Sequence, residues 1–292
     1  MERKVKDKTI TLNYNHWLKK ETIGEFLLKK GHKKEYVSRL IYKKMIRING
    51  KEVTNENEKL SFFPSKISVR LLFETNDLPP KKGNINILYE DPYLLIVNKP
   101  ANMDVEPTRR NYYDTLGNLI TNYYIAKGIH SKLHLVNRLD KVTSGIVIVA
   151  KNGYIHHMMT DVEIKKKYRT TVKGKIDKPG VIKVGIRKSD DGILRVVDES
   201  GKNAITEYTP VKYDPVNDTT VVDINLVTGR THQIRISFDH IGHPLIGDKL
   251  YGNVEGNYSL VAYKVDFKHP VTKKKISINL DNIDNDNKKG EQ

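Results

Sequence analysis

The sequence contains no cysteine and no long apolar run. Without cysteine the chain can form neither disulfides nor thiolate metal sites, a composition expected of a protein in a reducing cytosol. No apolar stretch approaches the roughly 20 residues that a membrane-spanning helix requires. The polar residues 1–8 are followed by no apolar segment of the kind found in secretory signals. We therefore expect a cytoplasmic protein that does not enter a membrane.

Other signals of specific chemistry are also missing. The sequence has no internal repeat and no glycine-rich loop of the type that binds phosphates. The two adjacent histidines, His156 and His157, would point to different sides of a helix, so we interpret them as core or surface residues. No other histidine pair has the spacing of metal ligands, and we expect no bound metal.

Basic residues outnumber acidic ones, since 51 Lys and Arg face 35 Asp and Glu and give a formal net charge of +16. This excess favours a polyanionic partner, and nucleic acid is the first candidate. A lysine-rich composition common to the proteins of one organism would look the same, so charge alone does not decide between the two. The 292 residues are enough for a sizeable core and more than one domain.

Residues 1–75 have the pattern of a small separate unit. Apolar residues recur at helical spacing in residues 21–30 and 36–45. Short alternating runs follow, and Asn49 and Gly50 between two of them predict a type I′ hairpin turn. Two helices and a small curled sheet would present a basic face formed by Arg39, Lys43, Lys44, Arg47 and Lys51. This face favours RNA binding, although the helices of any basic protein place lysines outward.

The rest of the chain divides by composition. Residues 76–84 contain two prolines and a glycine and are predicted to form a linker. In residues 85–280, strand-like runs and helical patterns mix without strict alternation, which predicts an α+β domain rather than a doubly wound α/β domain. Residues 281–292 are rich in Asn, Asp and Lys and are predicted to be a disordered tail.

The segment at residues 138–145 carries the strongest chemical signal. It places Arg138 and Asp140 on a tight, glycine-containing turn, and an apolar run typical of a buried strand follows at once. An ionised carboxylate without a metal can act as a base, orient a water or attack carbon directly. The alternative is that Asp140 only caps the turn by accepting from backbone amides later in it. A second segment, residues 229–235, supplies a candidate arginine as counter-charge.

Four segments of the α+β domain repeat the motifs of one enzyme family. They are residues 87–101, 138–145, 167–174 and 229–252. The second, with Arg-Leu-Asp followed by Thr-Ser-Gly, and the fourth, beginning Gly-Arg-Thr-His-Gln-Ile-Arg, are highly specific in combination. Together they resemble a pseudouridine synthase of the RluA family, which implies a mixed, largely antiparallel central sheet with flanking helices. Residues 38–53 resemble a small RNA-binding module, the alpha-L motif, first seen in a small-subunit ribosomal protein.

The resemblance implies an isomerase that converts uridine in RNA to pseudouridine. Asp140 would be the essential group, and Arg230 would pair with it and fix its charge. Tyr168 would be the active-site aromatic, which stacks on the uracil and helps to remove the C5 proton. The reaction is a rearrangement without net redox change, so we expect no cofactor.

The resemblance also implies how the substrate is held. The target base has to leave the stack, and Arg138 would enter the space that it vacates. A salt bridge between Arg138 and Asp140 is the competing interpretation. Ile234 and Leu260 would line the base pocket, although apolar residues in regular structure are usually core.

Two departures from the family leave other functions open. Asn137 stands where the family usually has His, and Val261 stands where it often has His. A second hypothesis is therefore a non-catalytic RNA chaperone or ribosome-assembly factor that keeps the fold. A third, an RNA hydrolase using Asp140, is weaker because no further carboxylates cluster nearby. The N-terminal resemblance favours large-subunit ribosomal RNA over transfer RNA as the target, and we expect a monomer.

Overall fold

The computed structural model of the protein describes residues 10–17, 20–61, 63–192 and 194–281. Of the predicted disordered tail only Asp281 lies within these ranges, so that prediction falls outside the described residues. None of the helices in these ranges has the length and apolar character needed to cross a membrane.

The N-terminal unit consists of two helices and a four-stranded sheet, as the sequence pattern predicts. Its elements are β1 (Thr11–His16), α1 (Ile23–Lys29), α2 (Lys34–Tyr42), β2 (Ile46–Ile48), β3 (Lys51–Glu52) and β4 (Ser65–Arg70). The strands lie in the order β1-β4-β2-β3. α1 begins at a capping box, in which the side chains of Thr22 and Glu25 each accept a hydrogen bond from the other residue's amide. Both helices bury their predicted apolar faces in one cluster with the sheet.

The basic face predicted for this unit is exposed. Asn49 and Gly50 have positive φ values of 49° and 85°, so the β2–β3 hairpin closes through the turn that their sequence predicts. All five residues predicted to form the basic face are exposed: Arg39, Lys43, Lys44, Arg47 and Lys51. Glu52 lies 3.2 Å from the guanidinium of Arg47 and 3.9 Å from the amine of Lys44, and it therefore offsets part of the positive charge.

The larger unit is an eleven-stranded sheet with three helices. Its elements are β5 (Asn86–Glu90), β6 (Leu94–Lys99), α3 (Leu116–Lys127), β7 (His134–Leu135), β8 (Ser144–Ala150), α4 (Gly153–Thr160), β9 (Lys165–Lys173), β10 (Gly180–Lys188), β11 (Arg195–Val197), β12 (Lys202–Asp214), β13 (Thr219–Leu226), α5 (Gln233–His240), β14 (Val261–Lys268) and β15 (Lys275–Asn279). The main path runs β11-β10-β12-β13-β9-β14-β8-β6-β5, with β15 beside β14 and β7 beside β8. Among the described strands β8 and β14 pair in parallel and the others antiparallel, which confirms the predicted α+β class.

The central strands β6 and β8 are apolar on both faces because both faces are covered. Adjacent residues such as Leu94 and Leu95 are fully buried but belong to different apolar clusters. The cluster of Leu94 includes α4 and the N-terminal unit, whereas the cluster of Leu95 includes α3 and α5. Continuous apolar runs in the sequence are the expected signature of strands buried in this way.

The N-terminal unit packs directly on the larger unit. The ring of Tyr154 in α4 stacks on His32 and on Tyr36, with 4.5 Å and 5.0 Å between ring centroids. The predicted linker lies along α3, where the Asn118 side chain donates a 2.8 Å hydrogen bond to the Pro79 carbonyl. Sequence composition divides the chain at this point, but side chains from both sides of the division share one apolar cluster.

Gly145 makes the parallel contact between β8 and β14 possible. It has a φ of +114°, which favours glycine, and it lies opposite Ala262 in the β8–β14 register. A Cβ atom at this position would lie 2.7 Å from the Ala262 amide nitrogen and closer still to its carbonyl oxygen. The turn that carries Asp140 leads directly into this contact, so the glycine fixes where the carboxylate stands relative to the sheet.

We predict that Gly145→Ala lowers the free energy of unfolding by roughly 3 kcal/mol or more, because it adds both backbone strain and a clash between strands. Gly31→Ala is the matched control, since Gly31 also has positive φ but nothing within 4 Å of the added atom. That control should lose only about 1 kcal/mol. Urea unfolding of both variants measures the difference, and equal losses would contradict the steric argument.

Candidate active site

The turn at Asp140 leaves its carboxylate without a capping role. The amide of Thr143 donates to the main-chain carbonyl of Asp140 at 3.1 Å, and the amide of Ser144 donates to the carbonyl of Leu260. No hydrogen bond from the described residues reaches the carboxylate oxygens, and the side chain is 27% exposed. The interpretation of Asp140 as a capping residue is therefore wrong, because the amides expected to bind its side chain are used elsewhere.

The buried amine of Lys99 binds the backbone of this turn. It is fully buried at the end of β6, and its amine donates to the carbonyls of Pro100, Met103 and Lys141 at 2.8 Å, 2.8 Å and 3.1 Å. Burial lowers the pKa of Lys99 to about 8. The three bonds join the loop after β6 to the residue that follows Asp140, and they help to fix the position of the turn.

The arginine that faces Asp140 is Arg235, not Arg230 as the family resemblance implies. Nη1 of Arg235 lies 4.0 Å from Oδ2 of Asp140. Arg230 is exposed, and its Nε donates to the carbonyl of Asn203 at 3.1 Å. The physical reason is the position of α5: Arg235 lies in the first turn of the helix and points inward, whereas Arg230 precedes the helix and stays at the rim.

Asp248 and two tyrosines hold the Arg235 guanidinium in place. Nε and Nη2 each donate to Asp248 at 2.7 Å, which leaves Nη1 directed at Asp140. The guanidinium also lies over the rings of Tyr251 and Tyr258, 5.2 Å and 5.7 Å from their centroids. Burial alone would raise the pKa of Asp248, but hydrogen bonds from Arg235 and from backbone amides outweigh it and lower that pKa.

The segment before α5 turns sharply so that the two arginines point apart. His232 has a positive φ of 57° and its Nδ1 lies 2.8 Å from the Tyr251 hydroxyl. The side-chain oxygen of Gln233 accepts from the Arg230 amide at 2.9 Å and from the Thr228 hydroxyl at 3.0 Å. Gln233 and His232 therefore have positioning roles that their place in the motif does not reveal.

The other predicted site residues surround Asp140. Tyr168, Ile234 and Leu260 are buried and line one pocket with Asp140, Arg230 and Arg235. Burial, followed by the charge of Asp140, raises the pKa of the Tyr168 hydroxyl, so the phenol is protonated at neutral pH. The inner pocket measures about 60 Å³ and shares Asp140, Tyr168 and Arg230 with a groove of about 790 Å³.

Arg138 lies at the edge of this groove. Its guanidinium is 70% exposed and pairs with Glu106 at 2.9 Å. The competing interpretation of a salt bridge to Asp140 is therefore wrong, because the side chain extends away from the turn towards the loop after β6. Arg138 remains available to a ligand in the groove, since an exposed pair of this kind contributes little to stability.

One of the two departures from the family pattern lies beside the sheet and the other lies in it. The buried Asn137 side chain donates to the carbonyl of Ile146 at 3.0 Å and accepts from the amide of Ile148 at 2.8 Å. The side chain thus binds backbone groups of β8 at a position beyond the end of β7. Val261 is paired in register with Ser144 and Arg169. No metal-binding cluster of His, Asp and Glu occurs in the part of the chain that the structure describes.

We predict that Asp248→Asn lowers the free energy of unfolding by about 3–5 kcal/mol at neutral pH, because it leaves the buried Arg235 charge uncompensated. Asp190→Asn, which removes an exposed ion pair with Arg187, should cost less than about 1 kcal/mol.

The stabilisation by Asp248 should depend on pH. The folded-state pKa of Asp248 is lowered, so the contribution of this residue to the free energy of unfolding is present above the unfolded pKa near ~3.9 and disappears as pH falls further. Urea unfolding from pH 7 to acid measures this, and a constant difference between Asp248→Asn and wild type would contradict it.

The sequence and fold both match known pseudouridine synthases. A family model described as RNA pseudouridylate synthase matches residues 93–240, the part of the chain that contains Asp140, Tyr168 and Arg235. The solved structure titled Human RNA Pseudouridylate Synthase Domain Containing 1 superposes with a TM-score of 0.55 at 23% identity, over 68% of this chain and 85% of that chain. At this identity the superposition shows a shared fold.

Three bacterial relatives are more similar in sequence. The uncharacterized RNA pseudouridine synthase YjbO of Bacillus subtilis is 33% identical over 79% of this chain and 84% of its own length. Ribosomal large subunit pseudouridine synthases C and D from two strains of Buchnera aphidicola are each 32% identical, over 91% and 80% of this chain and 92% and 80% of their own lengths. The resemblance drawn from the motifs is thereby confirmed: the chain belongs to the RluA family of RNA pseudouridine synthases and is an isomerase.

Proposed function

We propose that the protein isomerises uridines of large-subunit ribosomal RNA through Asp140, as a cytoplasmic monomer. The observation that carries the catalytic assignment is the Asp140 carboxylate, which is free of hydrogen bonds from the described residues and 4.0 Å from the Arg235 guanidinium. Two relatives named as ribosomal large subunit synthases and the net charge of +16 support a ribosomal target. Transfer RNA is the alternative that the substrate test below distinguishes.

Asp140 has two routes to the product. In the first, a carboxylate oxygen attacks C1′ of the ribose and N1 of uracil leaves with the bonding electrons. The base turns, C5 attacks C1′, and the carboxylate is released. In the second, Asp140 removes the proton from C2′ while N1 of uracil leaves C1′ with the bonding electrons, which gives a glycal and a free uracil anion. The base turns, C5 adds to C1′, and C2′ takes back a proton from Asp140. In both routes the C5 proton is lost and N1 gains one, so the reaction needs no oxidant or reductant.

Arg235 has a positioning task in either route. Its fixed direction presents a positive charge to Asp140 and holds the carboxylate against the ribose. Asp248 prevents the guanidinium from turning towards solvent, because it holds two of the three guanidinium nitrogens. Arg230 is exposed at the rim and is better suited to contact the RNA backbone.

Tyr168 contributes mainly as a neutral aromatic surface. Its raised pKa keeps the phenol protonated, so it can stack on the uracil but cannot itself be a strong base at neutral pH. Removal of the C5 proton then requires a second acceptor. Asp140 is the acidic residue in the lining of the same pocket, and it is free again once the C5–C1′ bond has formed.

The target base has to leave its stack to reach Asp140. This costs a few kcal/mol and less in a loop than in a helix. The inner pocket of about 60 Å³ is too small for a whole nucleotide, so the ribose and phosphates would occupy the wider groove of about 790 Å³. Arg138 at the groove edge can then contact the orphaned partner base, while Ile234 and Leu260 contact the uracil.

We predict that Asp140→Asn lowers kcat by at least roughly 10⁴-fold, as expected for an essential group. Arg235→Met should lower kcat by about 10²–10³-fold because it removes a preorganised charge. Arg230→Met is the matched control from the same motif, and its main effect should be a higher KM. Release of label from C5-tritiated uridine in unmodified ribosomal RNA and in transfer RNA measures the rates and identifies the substrate.

The same experiment tests the competing hypothesis. Wild-type protein that modifies neither RNA, or an Asp140→Asn variant as active as wild type, would refute an Asp-dependent synthase. A non-catalytic assembly factor would instead bind ribosomal RNA without releasing any label. The departure at Asn137 gives this alternative little support, because the hydrogen bonds of the Asn137 side chain go to the backbone of β8.

We also propose that the N-terminal unit binds RNA through its basic face, as the alpha-L resemblance implies. Deleting the unit is a poor test, because it would uncover the apolar cluster that both units share. Three charge-removing substitutions at Arg39, Lys43 and Lys44 leave that cluster intact. Each of these residues is exposed.

We predict that the triple variant Arg39→Gln, Lys43→Gln and Lys44→Gln binds RNA more weakly and keeps the wild-type kcat. Its log–log salt slope should flatten by up to about 0.9 for each phosphate that the variant no longer neutralises. The control replaces three exposed lysines of the catalytic unit, at residues 127, 178 and 212, with glutamine. Equal losses of affinity in the two triple variants would show that overall charge rather than this face governs binding.

A further inference from the structure

Lys166 is a half-buried lysine that the mechanism leaves unused. It precedes Tyr168 by two residues on β9, so both side chains project from the same face of the sheet. Both also line the groove of about 790 Å³ that contains Asp140. Lys165 and Lys167, on either side of it, are exposed. Of three consecutive lysines, the middle one therefore enters the groove beside the active site.

The amine of Lys166 makes no hydrogen bond or ion pair with any residue that the structure describes. Two other cations of the groove have carboxylate partners, because Arg138 lies 2.9 Å from Glu106 and Lys141 lies 3.9 Å from Asp104. Burial lowers the pKa of Lys166 without an opposing contribution from a carboxylate. A partly desolvated cation without a partner opposes folding, so its presence beside the active site requires another explanation.

We propose that Lys166 binds a backbone phosphate of the RNA strand next to the target uridine. The inference rests on the proposed function, since a nucleoside that reaches Asp140 brings its own and its neighbours' phosphates into the groove. Phosphate is the anionic group that RNA presents, and a charge-assisted hydrogen bond to it is stronger in a partly desolvated groove than at an open surface. Lys166 would thus be a positioning residue that holds the ribose of the target against Asp140.

Three variants separate this role from a structural one. Lys166→Met keeps the aliphatic stem and removes the charge, Lys166→Arg keeps a charge, and Lys167→Met is the exposed neighbour on the opposite face. With a stem-loop that wild type modifies, Lys166→Met should raise KM roughly tenfold, the effect expected from removing one charge-assisted hydrogen bond. Its salt slope should flatten by about 0.7, the single-strand value for one phosphate. Lys166→Arg should restore most of both, and Lys167→Met should resemble wild type.

Thermal unfolding gives a second readout. If Lys166 is retained for RNA, Lys166→Met should unfold at a temperature equal to or above that of wild type, because it removes an uncompensated charge from a half-buried position. A lysine retained for packing would behave in the opposite way. In that case Tm would fall in Lys166→Met, kcat would fall with it, and the salt slope would stay unchanged, which would overturn the proposal.

Neutral methylphosphonate linkages, introduced one at a time around the target uridine, identify the phosphate. One linkage should raise KM for wild type and have no further effect on Lys166→Met, because the amine that would bind that phosphate is already absent from this variant. Additive effects at every linkage would overturn the proposal. These outcomes are distinct from failure of the proposed function, in which wild-type protein itself would release no C5 label from any of the substrates.

Discussion

The geometry of the active site depends on how one guanidinium is shared between two carboxylates. Asp248 takes Nε and Nη2 of Arg235 in a bidentate contact, and Nη1 is left to face Asp140. A planar guanidinium with several fixed donors can bind the buried Asp248 and still present positive charge to Asp140. Tyr251 and Tyr258 lie against the guanidinium and restrict its rotation. The strand pairing at Gly145, the buried amine of Lys99 and the turn before α5 all place Asp140 and Arg235 within reach of each other.

Much of the site could be read from the sequence because its chemistry is carried by short, ordered motifs. Asp140, Tyr168, Ile234 and Leu260 line one pocket, as their motifs predict. The choice between Arg230 and Arg235 could not be made in this way, since both lie in the same seven-residue segment. It depends on where α5 begins and on the left-handed backbone of His232, which neither spacing nor hydrophobic pattern indicates. Lys99 was equally hidden, because nothing in its sequence context shows that three carbonyl groups surround it.

The fold, like the site, could be predicted from the sequence only in part. The apolar runs of residues 94–97, 146–149, 168–172, 219–226 and 276–280 predict strands, and β6, β8, β9, β13 and β15 overlap them. The helical patterns of residues 116–126 and 155–162 likewise overlap α3 and α4. No strands are predicted from the sequence in the region of β10 to β12. β10 begins at Gly180 and is interrupted by Gly185, and β12 contains Pro210 at a register shift. These strands pair with strands that are close in sequence, but strand preference depends on packing against those neighbours, so their own residues carry a weak signal.

The shared apolar cluster and the stacked rings of His32, Tyr36 and Tyr154 join the two units through side chains as well as through the chain. The exposed basic face and the Asp140 carboxylate consequently stand at a set separation. If the basic face binds RNA as proposed, an RNA that contacts both must present a uridine at the matching distance from the helix or loop bound by that face. The choice of target would then depend on a distance within the RNA. Two RNAs with identical nucleotides around the uridine would differ as substrates if their folds placed the uridine and the bound helix or loop at different distances.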